Sequence, residues 1–176
     1  FSSESGGPEG SPVDGAGAAP WYYEQQVLGF NYRMTDILAA LGLSQLKRLD
    51  TYVEVRNRIA RRYDAALAGL PLTLPTVRPE NVSASHLYVV HLEKGATRKT
   101  HREVFDELRE RGIGVNLHYM PVHLQPYFRQ FGFKRGDYPE AEEHGASAIS
   151  LPMFPTLTDE AQGSVIDALQ ATLADE

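Results

Sequence analysis

Cysteine is absent from the chain, so disulfides and thiolate metal sites are excluded and the redox compartment leaves no mark on the composition. No stretch approaches the roughly 18 consecutive apolar residues that a membrane-spanning helix needs. A basic excess is missing too: the formal net charge is −6, the wrong sign for a nucleic-acid partner. The first residues show no charged stretch followed by an apolar one, so no secretory leader is legible and a cytoplasmic location is expected. Also lacking are a Walker-type phosphate loop, a GxGxxG turn, an HExxH pair and a GxSxG elbow, the usual sequence marks of nucleotide, zinc and serine-nucleophile sites.

What remains is the composition of a globular domain. Hydrophobic residues make up 42% and charged residues 23%, ordinary values for a folded soluble chain, and 176 residues can bury a core as one domain, with or without a tail. Residues 1–20 are dominated by Gly, Pro, Ser and Ala. They offer too little apolar surface to offset the entropy of ordering, so a flexible lead-in or loop is expected. The chain opens on Phe1 rather than Met, as a chain cut from a longer one would.

From Trp21 the texture changes. WYYEQQVLGFNYRMTD is dense in aromatics and ends at Thr35-Asp36, a good helix start. Ile37 to Leu49 is apolar on nearly every side, and helices apolar all round are usually buried. Tyr52, Val55, Ile59, Tyr63, Leu67 and Leu70 recur at helical spacing, with Arg56, Arg58, Arg61 and Arg62 on the polar side. This predicts a long amphipathic helix ending near Gly69 and Pro71. Residues 72–79 read as extended and 86–92 as a strand. Thr100 to Arg111 reads as a helix with Val104, Phe105 and Leu108 inward. A second strand is predicted over 113–119, a short helix over 125–131, and a helix over 139–149 that gives way to irregular LPMFP. Thr158 caps a last helix with Val165, Leu169 and Leu173 inward. Interleaved strands and helices predict an α/β or α+β layered domain, a small sheet covered by helices.

Few residues announce chemistry by themselves. Asn31 and Arg33 lie in an aromatic loop ahead of an apolar helix, and an amide and a guanidinium fork are good partners for phosphate oxygens. Equally, Asn31 could make a turn and Arg33 stack on a ring. His118 and Tyr119 end a predicted strand, a common place for ligand contacts in layered α/β folds, although a structural histidine explains the same pattern. His118 and His123 sit close together in HYMPVH, without the helical spacing or nearby carboxylates of a metal site. No metal is expected.

Several longer stretches carry a resemblance. PWYYEQQVLGFNYRMTDILAALGLSQLKRLD, SHLYVVHL, LRERGIGVNLHYMPVHLQPYF and ISLPMFPTLTDEAQ occur in the order seen in the DegT/DnrJ/StrS sugar aminotransferases, and together they cover about residues 20–173. Within that family the segment from His118 to Pro155 is most similar to the pseudaminic-acid branch. The resemblance implies fold type I of the pyridoxal-phosphate enzymes, with this chain as the small C-terminal domain and the helices that join it to a large one. The implied division is 1–20 lead-in, 21–70 interface segment and connecting helices, 71–176 small α/β domain.

It also implies an activity, the transfer of an amino group from glutamate to a UDP-linked 4-keto-6-deoxy-N-acetyl-hexose, with pyridoxal 5′-phosphate as cofactor, in a homodimer with shared active sites. In that family the asparagine matching Asn31 reaches the cofactor phosphate of the neighbouring subunit. The arginine matching Arg33 lies near the substrate diphosphate, and His118 and Tyr119 match residues near the substrate channel. The cofactor lysine of the family lies upstream of the WYY segment; Lys47, Lys94, Lys99 and Lys134 do not stand in that context. No catalytic residue is therefore expected in this chain, which by itself should not transaminate. A non-catalytic interaction or dimerisation module is the alternative from another class, and a histidine-dependent metal hydrolase a third. If a large domain normally covers it, the 37–49 helix and the 21–30 aromatics should be bare and favour self-association.

Overall fold

In a computed structural model the described residues are 27–30 and 32–174. The expected lead-in over 1–20, the aromatics at 21–26 and Asn31 lie outside them. The chain divides between Ala40 and Leu41 into two units.

In the first unit the Phe30 and Tyr32 rings stack at 5.3 Å. Thr35 opens helix α1 (Asp36–Leu46), which runs on across the division into the second unit; the Thr35 Oγ1 accepts from the Leu38 N–H at 3.4 Å. None of the α1 side chains is buried, and Ile37, Leu38, Leu41, Leu43 and Leu46 are all exposed. The apolar pattern of this helix marks a surface of the kind that usually finds a cover.

The second unit holds the core. Helix α2 (Leu49–Leu67) buries Ile59, Tyr63 and Leu67, one stripe of its predicted face. Three antiparallel strands follow in spatial order, β1 (Leu72–Thr73), β2 (Tyr88–Leu92) and β3 (Ala148–Leu151). Tyr88 pairs with Leu151 and Val90 with Ile149. Because side chains alternate across a strand, Tyr88 and Val90 face the core formed with α2, α3 (His101–Glu110) and α6 (Asp159–Ala174). His91 points the other way, toward α5 (Pro139–Ser147). The central strand is thus covered on both faces, and all four residues of β3 are buried. Between α3 and α5 lie a 3-10 turn (Val122–Leu124) and the short α4 (Pro126–Arg129). No helix among the described residues is long and apolar enough to cross a membrane. The mixed α/β architecture, a small sheet covered by helices, is as expected.

Local signals account for the helix ends. Thr100 and Glu103 form a reciprocal capping box at α3, which satisfies two otherwise orphan N–H groups. Thr158 Oγ1 accepts from the Ala161 N–H at 3.1 Å as α6 begins. Buried polar groups are matched: Gln162 donates to the Ile59 carbonyl at 2.8 Å, and the Tyr63 hydroxyl to the Pro152 carbonyl at 3.0 Å. Burial pushes both Tyr63 and Tyr88 far above the ordinary tyrosine range.

Two expectations are corrected. Residues 113–119 do not form a strand; Asn116 makes one isolated bridge to Ser150. The N–H of Val115 turns back to the Ile113 carbonyl at 2.9 Å, and that of Leu117 is taken by the Asn116 side chain at 2.8 Å. With both donors diverted, the ladder cannot propagate. Conversely, the predicted helix over 139–149 stops at Ser147, and residues 148–151 become β3. A short apolar run is ambiguous between buried helix and buried strand, and pairing with β2 decides it.

Candidate functional site

A polar cluster gathers where the 117–123 segment crosses α5 and β3. The His118 ring meets Ser150 Oγ through Nδ1 at 2.8 Å, and its carbonyl faces His144 Nε2 at 3.0 Å. The peptide bond that follows His118 is cis. Tyr119 is exposed, its ring edge-on to that of His118 at 4.7 Å. The crossing is close: a Cβ on Gly145 would lie 2.7 Å from Pro121 Cδ, nearer than carbon atoms tolerate. Glycine at 145 is what lets α5 approach.

Beside this cluster, His123 is buried and its Nε2 lies 2.9 Å from Glu142 Oε1. The same oxygen accepts from the Gly136 N–H at 2.7 Å. These contacts, the His123 hydrogen bond foremost, hold the Glu142 carboxyl below its ordinary range. Nothing in the sequence pattern joined His123 to a carboxylate nineteen positions away, and HYMPVH has no carboxylate close to it in the chain.

An open cleft of about 930 Å³ runs between β2 and α5, with His91, His101 and His144 among its walls. His91 bonds Ser147 Oγ at 3.0 Å and its ring meets His144 edge-on. Burial, then the neighbouring His144, lowers the His91 pKa. His101 Nε2 is committed to the Ala148 carbonyl at 2.9 Å. The histidines of this region thus serve as internal clamps. Among the described residues no group of three or more His, Cys, Asp or Glu side chains is arranged to hold a metal.

The site residues expected from sequence distribute as follows. His118 and Tyr119 stand together, the first fixed on β3 and α5, the second presenting its ring to solvent. Arg33 is exposed in the first unit; Tyr32, the ring beside it, stacks on Phe30 instead. Asn31 lies outside the described residues. Of the four lysines, Lys94 and Lys99 line the cleft between β2 and α5. Lys99 is engaged by Glu107 at 2.8 Å and the Thr172 carbonyl at 2.7 Å. Lys134 is paired with Asp137 at 3.3 Å, and Lys47 and Lys94 are exposed.

Comparison with known proteins agrees with this architecture. The profile of the DegT/DnrJ/EryC1/StrS aminotransferase family matches residues 14–170. The spore coat polysaccharide biosynthesis protein SpsC of Bacillus subtilis is 39% identical over 153 residues, which are 85% of this chain and 39% of that protein. Among solved structures, Spr1654 from Streptococcus pneumoniae in its PLP-form superposes with a TM-score of 0.78 at 31% identity, over 88% of this chain and 39% of that one. Helicobacter pylori PseC, an aminotransferase involved in the biosynthesis of pseudoaminic acid, gives 0.77 at 26% identity, over 92% and 43%. The chain therefore spans about two-fifths of the length of the relatives it matches. A profile match through nearly all of the sequence, together with the shared small sheet and its covering helices, establishes that the chain belongs to the DegT/DnrJ/EryC1/StrS aminotransferase family.

Proposed function

We propose that this chain is the C-terminal part of a pyridoxal-phosphate-dependent sugar aminotransferase. Its substrate is a UDP-linked 4-keto-6-deoxy-N-acetyl-hexose, as in the pseudaminic-acid branch, with glutamate as amino donor. The observation that carries this reading is the family match over residues 14–170, which takes in both the Asn31–Arg33 and the His118–Tyr119 segments. In this reading the lysine that holds the cofactor lies upstream of the given residues, and no step of the reaction is assigned to the described ones. The cofactor, when bound, supplies the electron sink for amino transfer.

The contribution of this chain is recognition. Asn31 is assigned to the cofactor phosphate and Arg33 to the substrate diphosphate. An exposed guanidinium fork suits that task, since charge-assisted hydrogen bonds to phosphate oxygens are strong and geometrically selective. His118, held by Ser150 and His144, orients Tyr119 at the mouth of the substrate channel. Residues 21–70 form the interface segment and 71–176 the small domain of a cytoplasmic homodimer. The bare apolar side of α1 fits such a buried interface. It fits a non-catalytic dimerisation module as well, and the two part on chemistry.

A protein extended upstream to the length of its relatives is expected to turn yellow with pyridoxal phosphate; a colourless product would reject the enzyme reading. In that protein Arg33→Ala should weaken sugar-nucleotide binding by about ten- to a hundredfold, from a loss of roughly 1.5–3 kcal/mol. Retention of cofactor should hardly change. Asn31→Ala should do the reverse. Equal losses of both ligands in both variants, tracking a fall in melting temperature, would overturn the half-site assignment.

A further inference from the structure

Two histidine rings meet on the wall of the open cleft. His91 stands on β2 and His144 on α5, and the rings pack edge-on with centroids 4.8 Å apart. Both side chains are partly buried, and both line the cleft between strand and helix.

Hydrogen bonding fixes which nitrogen of each ring carries a proton. The Ser147 hydroxyl donates to the Glu143 carbonyl at 2.9 Å, so its oxygen is left to accept from His91 Nδ1 at 3.0 Å. The His118 carbonyl can only accept, and it does so from His144 Nε2 at 3.0 Å. A neutral imidazole has one donor and one acceptor nitrogen. His91 Nε2 and His144 Nδ1 are therefore the basic atoms, and each ring can take a proton there without giving up its bond. What opposes protonation is burial and the charge of the other ring. These two causes, burial first, lower the His91 pKa.

The other charges of the cleft offset one another. Glu93, Glu140 and Glu143 favour a charged ring, while Lys94, Lys99 and Arg135 oppose it. His101 and Glu142 also line the wall, but the first is committed to the Ala148 carbonyl and the second to His123. From β1 only the neutral Thr73 faces the cleft. With the surroundings balanced, the mutual repulsion of the two rings sets where the second proton binds, and the protons belong to the pair rather than to either residue.

The two rings are not equally free to move. His91 sits in the central strand, in register with Thr73 on one side and Ala148 on the other, and doubly paired strands are the last parts of a domain to open. His144 instead holds the His118 carbonyl, one residue before the exposed Tyr119. Repulsion between the rings is therefore relieved by His144 and the segment that hangs on it, while the strand stays in place.

We propose that the His91–His144 pair is a pH-sensitive latch on the His118–Tyr119 segment. With one added proton or none, the rings stay in contact and His144 keeps its hold on the His118 carbonyl. A second proton drives His144 off His91 and loosens the segment. The latch does not rest on the aminotransferase reading, which gives His91 no role and His144 only the support of His118.

The test is an NMR titration of the 176-residue chain from about pH 8 to 5, the range in which imidazoles change charge. It follows the ring protons of His91, His144 and Tyr119. The two imidazoles are expected to titrate in separate steps, with a Tyr119 shift that tracks the second. His118 lies against the Tyr119 ring and adds a shift of its own. His144→Gln keeps a donor for the His118 carbonyl but removes the second charge. It should raise the His91 midpoint by about half a unit or more and abolish the part of the Tyr119 shift that tracks the pair, leaving the part due to His118. His91→Gln approaches the pair from the fixed strand and should abolish the same part. Both variants should keep the circular dichroism of the parent at about pH 8, where imidazoles are neutral. Midpoints that ignore substitution of the partner ring, or a Tyr119 response identical in all three proteins, would overturn the latch.

Discussion

Helices α1 and α6 look alike in composition, both rich in leucine and alanine, yet one is bare and the other is the inner wall of the core. No α1 residue is buried, whereas α6 buries Gln162, Val165, Ile166, Ala168, Leu169, Thr172 and Leu173. The difference lies in what each meets. The apolar stripe of α6 packs with α2 and α3, and its two buried polar residues find partners there, Gln162 on the Ile59 carbonyl and Thr172 on Glu107 at 3.2 Å. Apolar content alone says that a helix wants cover. Matched polar groups at its margins say where that cover is.

The sharpest way to break the comparison is a leucine truncation in each helix. Leu169 is fully buried and Leu43 is 67% exposed. Leu169→Ala should cost about 2–5 kcal/mol in chemical denaturation through lost burial and the cavity left behind. Leu43→Ala should stay within about 0.5 kcal/mol of the parent chain. Similar losses for both would mean that α1 is covered in solution.

Association tests the same contrast at a smaller scale. Exposed leucines on one helix make a patch that soluble monomers seldom leave bare. The chain should therefore sediment with a concentration-dependent mass, and the double variant Leu41→Glu/Leu43→Glu should shift that dependence to concentrations about tenfold higher. A clean monomer at high concentration would remove the self-association expectation.

The finest effect belongs to the polar seam of the core side. Glu107 accepts from Lys99, Arg111 and Thr172. The Lys99 hydrogen bond leads in lowering its pKa to about 2, against about 4.3 for a free glutamate. A depressed carboxylate stabilises the fold above its unfolded pKa, and the contribution fades as pH falls through the folded value. Glu107→Gln should accordingly lower the melting temperature by a constant margin at pH 5–7, and that margin should close between about pH 4.3 and 2. A margin independent of pH would show that packing rather than charge holds this residue.

Much of the secondary structure could be read from local pattern because its causes are local. The capping box at Thr100 and Glu103 and the inward positions Val165, Leu169 and Leu173 all declare themselves within a few residues. The candidate site was less legible. His118 and Tyr119 could be named, but the clamp on His118 comes from Ser150 and His144, far along the chain.

The sequence by itself determined the family, the mixed α/β composition, and the helices whose periods and caps fall inside one segment. Only the tertiary structure decided that residues 148–151 are a strand and 113–119 are not. A strand is defined by a partner's hydrogen bonds, and here the partner β2 lies some sixty residues away. The same holds for burial of His123: whether a titratable ring is a loop residue or an internal clamp depends on the carboxylate that folding brings to it. Periodicity is a property of neighbours in the chain, while pairing and charge compensation are properties of neighbours in space.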